Sequence, residues 1–292
     1  MARAVRFDQY GPVDVLHIDD VDRPDPGPGE VVVEVVSAGI NPGEISIREG
    51  RLHAQWPATF PSGEGSDFAG RVVTVADGVT AFAVADDVLG FTDQRASHAD
   101  YVVAPTDQLT AKPAGVGWDE AGSLHVVGAT AYAAVRAVAP QAGETVVVSG
   151  AAGGVGSLTV QLARRAGATV VGIAGPANQA WLESLGVRPV AYGDGLADRL
   201  RAAAPDGVDA FIDTFGGGYV ELAIDLGVAP ERIDTIIDFA AAGRFAGVKT
   251  QGSAAAREAS VLADLAALVA GGELLVPIAA TYPLEDVRAA YT

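Results

Sequence analysis

Residues 145–175 read TVVVSGAAGGVGSLTVQLARRAGATVVGIAG. Val146-Val147-Val148 is a β-branched apolar run of the kind found in strands covered on both faces of a parallel sheet. A glycine-rich turn follows, and then Leu158, Leu162 and Ala166 recur at helical spacing until Gly167 ends the helix. Thr169 to Ala174 is a second apolar run. Strand, tight turn, helix, strand is a βαβ unit of the length of half a dinucleotide fold.

The turn carries the chemistry. In G-x-G-x-x-G the first position makes the turn, the second admits a pyrophosphate to the backbone and the third lets helix and strand pack closely. Here Ala151 stands first, before Ala152, Gly153, Gly154, Val155 and Gly156, giving A-x-G-x-x-G. The N–H groups opening the helix would then face the pyrophosphate, where the helix dipole favours negative charge. The second strand ends at Gly175, where an NAD-selecting fold carries an acid for the ribose hydroxyls. No acid occurs before Glu183, which favours NADPH. No Lys or Arg is near in sequence, so Asn178, Gln179 and Tyr192 are the candidate donors for a 2′-phosphate. Asn178 can also be read as the cap of a helix over 180–185.

The chain has 292 residues, enough for two domains, and 49% of them are hydrophobic. With 37 acidic and 19 basic residues its formal charge is −18. That field disfavours nucleic acid and anionic membranes as partners. Cysteine is absent, which excludes disulfides, thiol nucleophiles and thiolate-bound zinc. No leader-like or bilayer-length apolar segment is found, so the expected location is the cytoplasm.

Up to about residue 110 the pattern is β-rich. Strands are expected at 2–7, 15–19, 30–37, 71–75, 87–91 and 99–103, with a short helical piece before Gly50. Beyond Trp118 the periods lengthen. Helices are expected at 131–138, 196–203, 219–226 and 255–270, and sheet strands at 190–192, 210–213 and 233–239. The fold class is α/β, with a β-rich domain over 1–119 and 266–292 and a doubly wound domain over 120–265.

Four segments now combine: Ala38-Gly39-Ile40-Asn41-Pro42, Gly65-Ser66-Asp67-Phe68-Ala69-Gly70, Gly128-Ala129-Thr130-Ala131-Tyr132 and the A-A-G-G-V-G turn. In order and spacing they resemble the zinc-independent quinone oxidoreductase branch of the medium-chain dehydrogenase/reductase superfamily. The resemblance implies a GroES-like β-barrel catalytic domain and a Rossmann domain. It also implies NADPH as cofactor and a quinone or α,β-unsaturated carbonyl as hydride acceptor. Zinc-dependent relatives have cysteine where Asn41 stands and histidine where Ser66 stands, with Asp67 at the position of their neighbouring glutamate. Asn41 and Ser66 are poor zinc ligands, so no metal is expected.

By the same resemblance Asn41 lies beside nicotinamide and substrate, and Thr130 touches the nicotinamide ring. The loop Phe215-Gly216 and the strand end Phe239-Ala240 hold the nicotinamide half. Asn41-Pro42 also reads as a turn after a buried strand, and Thr130 as a helix N-cap. Ser46 stands where some quinone reductases have a tyrosine, so no general acid is named and protonation from water is expected. His17, His53, His98 and His125 lack paired ligand spacing and are read as structural or surface residues. The resemblance further implies a homodimer formed near Gly247 to Ser253. In the family the chain continues past the helix at Pro283 into a final strand, whereas this sequence stops at Thr292. A biosynthetic enoyl reductase and a cofactor-binding protein without turnover remain open alternatives.

Overall fold

The computed structural model describes residues 1–292. The chain divides into two compact units, one of residues 1–126 and 257–292, the other of residues 127–256.

The first unit is antiparallel. β1 (Ala2–Phe7), β2 (His17–Val21) and β4 (Ser62–Gly63) form a three-stranded sheet in the order β2-β1-β4. β3 (Glu30–Ser37), β5 (Asp67–Val75), β6 (Asp87–Phe91), β7 (Tyr101–Pro105) and β8 (Leu109–Ala111) form a curled second sheet in the order β7-β3-β5-β6-β8. Register shifts in the β3–β5 pairing, between Val32 and Val33 and again between Val35 and Ser37, bend the sheet. The apolar side chains of Val31, Val33, Phe68, Val72, Val88, Val102 and Leu109 fill its inside. The valines of β3, interrupted by Glu34, lie in a strand paired on both edges, by β7 and β5. The short helices α1 (Pro42–Arg48) and α2 (Trp118–Gly122) follow β3 and β8. At the chain end, α9 (Ala259–Ala270) packs on β8, and α10 (Val287–Ala290) places Val287 against Val5, Phe7 and Leu16.

The second unit holds a five-stranded parallel sheet, with β9 (Thr145–Val148), β10 (Thr169–Ala174), β11 (Arg188–Ala191), β12 (Ala210–Asp213) and β13 (Ile233–Thr235) in the order β11-β10-β9-β12-β13. Counted along the chain this is 3-2-1-4-5, the Rossmann order, and it reverses between β9 and β12. Alternate residues of each strand serve different cores. Val146, Val148, Val170 and Ile212 pack on one face, and Val147, Val171, Ile173 and Phe211 on the other. Two covered faces explain why the strands read as continuous apolar runs. Around the sheet run α3 (His125–Val138), which begins in the first unit, and α4 (Gly154–Arg165), α5 (Gln179–Ser184), α6 (Leu196–Ala203), α7 (Tyr219–Asp225) and α8 (Phe239–Arg244). No helix is long and apolar enough to cross a membrane.

Three local expectations are corrected. Thr130 is no N-cap: α3 starts five residues earlier and Thr130 lies buried inside it. The cap is supplied from another element, since both carboxylate oxygens of Asp67 accept from Val126 N–H at 3.0 and 3.2 Å. Asn178 precedes α5 but its side chain makes no capping bond. Phe239-Ala240 is the start of a helix instead of the end of a strand, because Asp238 caps α8 by accepting from Ala241 N–H at 2.9 Å.

Candidate functional site

In the second unit the glycine-rich turn joins β9 to α4. Gly150, with φ +56°, makes the left-handed turn, which leaves Ala151 in ordinary geometry with its N–H bonded to Ile173 O at 3.0 Å. This is why alanine serves at the first motif position. A Cβ on Gly156 would lie 2.1 Å from Gly150 O, so the third position admits only glycine. Gly153 is the N-cap of α4, and no side chain caps the helix. The first N–H groups of a helix have no partner within it. Those of Gly154, Val155 and Gly156 therefore fit an anionic pyrophosphate.

Gly175, Asn178, Gln179 and Tyr192 come together at the ends of β10 and β11. A Cβ on Gly175 would stand 3.2 Å from the Tyr192 hydroxyl. Gln179 Nε2 donates to Ala174 O (2.9 Å) and Gly175 O (3.2 Å), so its amide is engaged with the backbone. Sequence distance hid one cation. Arg199, on α6, donates to Ala191 O at 3.1 and 2.9 Å, to Gly193 O at 3.1 Å and to Asp194 O at 2.6 Å, bracketing Tyr192 on both sides. Its guanidinium is engaged with these backbone carbonyls.

The first unit places Asn41 in a buried polar cluster. Asn41 N–H donates to Glu44 Oε2 at 3.0 Å, and its amide Nδ2 reaches Glu44 Oε1 (3.3 Å) and Asp67 Oδ2 (3.4 Å). Both neighbours are acceptors, which fixes Nδ2 toward them. Glu44 also accepts from Ser66 N–H at 3.0 Å and from the Tyr291 hydroxyl at 2.7 Å. Beneath lies the ion pair of Arg48 Nη1 and Glu64 Oε1 at 2.5 Å, with both side chains 1% exposed. The Tyr291 ring packs on the guanidinium at 4.7 Å. His98 Nε2 bonds Gly39 O at 2.9 Å, which makes it a satisfied structural histidine. Glu44, Glu64 and Tyr291 carry no local sequence signal; α1, the β4–β5 connection and the chain end bring them together. No group of three or more His, Asp or Glu side chains is placed to hold a metal ion.

Burial sets the protonation states here. Asp67 is pushed up from 3.8 to about 8, mainly by burial and then by the nearby Glu44 charge, against the bonds from Val126 and Asn41. Glu64 is pushed up from 4.5 to about 7 by burial, opposed by Arg48. The folded protein therefore holds protons that the unfolded chain releases above its ordinary carboxylate pKa. The contribution of these two carboxyls to stability falls as pH rises between about 4 and 8. Asp67→Asn removes the larger contribution, and its urea midpoint is expected to fall less between pH 5 and 8 than that of the wild type. Parallel slopes for the two proteins would refute the assignment.

His125 is a buried structural histidine that is not fully satisfied. Its ring stacks on Phe91 with centroids 3.8 Å apart, and its Nδ1 is buried without a partner. Burial, reinforced by the Arg257 charge, lowers its pKa to about 4, so the ring is neutral near pH 7.

A curled antiparallel unit and a Rossmann-type unit make up the chain. Residues 27–139 match the family model of the alcohol dehydrogenase GroES-like domain, and residues 154–227 that of the zinc-binding dehydrogenases. The quinone oxidoreductase of Rattus norvegicus is 35% identical over 177 residues, 60% of this chain and 53% of that protein. The 2-methylene-furan-3-one reductase of Solanum lycopersicum is 32% identical over 171 residues, 56% of this chain and 44% of that protein. The chain spans about half the length of the curated relatives it matches. Among solved structures, the quinone oxidoreductase from Coxiella burnetii superposes with a TM-score of 0.86 at 28% identity, covering 99% of this chain and 94% of that one. The chain belongs to the medium-chain dehydrogenase/reductase superfamily, in its quinone oxidoreductase branch.

Proposed function

We propose that the protein is an NADPH-dependent, zinc-independent reductase of quinones or α,β-unsaturated carbonyls. The observation that carries this reading is the turn at 150–156. It presents uncapped helix N–H groups beside a glycine that nothing larger can replace, in a chain of the quinone oxidoreductase branch. The relative named for a 2-methylene-furan-3-one supports an enone acceptor, because that name describes a carbonyl conjugated to an exocyclic double bond.

When bound, the nicotinamide dinucleotide supplies a hydride to an acceptor that is already electrophilic. The N–H groups of Gly154, Val155 and Gly156, with Ala151, Ala152 and Gly153 shaping the turn, hold the pyrophosphate. Gly175 removes the carboxylate that would repel a 2′-phosphate, and Asn178 and Tyr192 offer donors to it. Phe215, Gly216, Phe239 and Ala240 hold the nicotinamide half, and Thr130 touches its ring. Asn41, its amide oriented by Glu44 and Asp67, positions the acceptor; the proton comes from water.

Titration of the purified protein with NADPH and NADH, read by cofactor fluorescence, tests the cofactor assignment. Micromolar NADPH binding with NADH at least tenfold weaker is expected; equal affinities would remove the phosphate argument. A panel of quinones and enones then tests turnover. Cofactor binding with no acceptor reduced would leave a binding protein without catalysis.

A further inference from the structure

The Rossmann sheet reverses its strand order between β9 and β12, and ligands of such folds bind beyond the strand ends at that point. One carboxylate bridges it. Asp213, the last residue of β12, is fully buried, and its Oδ1 accepts from Ser149 Oγ at 2.6 Å, just beyond β9. The same oxygen accepts from Phe215 N–H at 3.0 Å and Gly216 N–H at 2.9 Å. Asp213 Oδ2 accepts from Thr235 Oγ1 at 2.8 Å, at the end of β13. Both hydroxyls pass the order on. Ser149 Oγ accepts from Thr214 N–H at 2.9 Å, and Thr235 Oγ1 accepts from Asp238 N–H at 3.0 Å. Thr214 Oγ1 donates back to Ser149 O at 2.7 Å.

The loop after β12 is rich in glycine. Gly216, Gly217 and Gly218 follow one another with φ of +82°, +72° and +94°, a run with maximal backbone freedom and no side chain to anchor it. A Cβ on Gly216 would stand 3.3 Å from Ile237 Cγ2, so the two loops adjoin. From them Phe215, Ile237 and Phe239 project with 68%, 54% and 59% of their surface exposed. Three large apolar side chains exposed on two adjoining loops mark a surface shaped for a ligand.

We infer that Asp213 is a positioning residue, a buried latch that ties the ends of β9, β12 and β13 and presents Phe215, Ile237 and Phe239 as a platform for the nicotinamide half of the cofactor. The inference rests on the proposed nicotinamide cofactor and adds a residue that touches no ligand itself. A latch of this kind acts on one half of the cofactor only. The turn at 150–156 meets the latch only at its first residues, beside Ser149, and is otherwise held by its own bonds, Ala151 N–H to Ile173 O and Gly153 N–H to Gly150 O; the Tyr192 region makes no bond to Asp213.

The test compares wild type, Asp213→Asn and Thr235→Val for binding of NADPH and of 2′,5′-ADP, which carries the adenine half alone. Asp213→Asn keeps an oxygen for the backbone N–H groups but reverses polarity toward Thr235; Thr235→Val is isosteric and cuts the β13 arm alone. NADPH affinity is expected to fall at least tenfold in Asp213→Asn and several-fold in Thr235→Val, with 2′,5′-ADP changed less than twofold in both. Hydrogen exchange at Phe215, Gly216 and Asp238 is expected to quicken in Asp213→Asn, and at Asp238 alone in Thr235→Val. Equal weakening of both ligands would reduce Asp213 to a general structural residue, and unchanged NADPH binding would remove the latch. Thr235→Val carries the test if Asp213→Asn fails to fold. A wild-type protein that binds neither ligand would instead overturn the cofactor reading itself.

Discussion

Replacement of Gly156 by alanine is expected to cost more than about 3 kcal/mol of stability in the second unit and to weaken NADPH binding more than about hundredfold. The added carbon would lie 2.1 Å from Gly150 O, 2.8 Å from Gly150 C and 2.9 Å from Ala151 Cα, all backbone atoms. Backbone cannot rotate away as a side chain does, so β9 and α4 must separate. The helix N-terminus then leaves the pyrophosphate position. Gly154→Ala is the matched control. Its Cβ would meet only the Val127 Cγ1 at 3.2 Å, a side-chain atom that can give way, so little change in thermal stability is expected. Thermal melting and NADPH titration of both variants decide the matter. Similar behaviour of the two would show that the turn tolerates a side chain at its third position.

Arg48→Ala is expected to destabilise the first unit by about 3–5 kcal/mol, the range for breaking a buried ion pair from one side. Removing the guanidinium leaves Glu64 buried without its partner and takes away the support of the Tyr291 ring. Arg48 also ends α1, where a cation complements the helix dipole. The double variant Arg48→Met, Glu64→Leu should recover most of the loss, because an apolar pair has no charge to desolvate. Urea unfolding of the single and double variants measures both. A single variant within about 1 kcal/mol of wild type would mean that the pair contributes little beyond its own desolvation.

The turn at 150–156 was legible because its chemistry is local. The glycines, the flanking valine runs and the helical spacing of Leu158 and Leu162 lie within thirty-one consecutive residues, and strand, turn and helix follow from them. The strand Glu30–Ser37 and the helix Leu196–Ala203 were legible for the same reason, each having a periodicity complete in itself. Thr130 and Phe239 were misplaced because distant or overlooked groups decide those boundaries. Asp67 caps α3 across 59 residues of sequence, and Asp238 starts a helix inside what reads as an apolar strand.

The sequence by itself thus determined the fold class, the dinucleotide turn and the absence of thiolate chemistry, all consequences of neighbouring residues or of composition. Only the tertiary structure decided how the buried polar groups are shared. Glu44 meets Tyr291 across 247 positions, Asp213 meets Ser149 across 64, and Arg199 folds back around Tyr192. A carboxylate has no periodicity to reveal its partner. Its partner is set by the cost of burying charge without a hydrogen bond, and that cost exists only once the chain has closed around it.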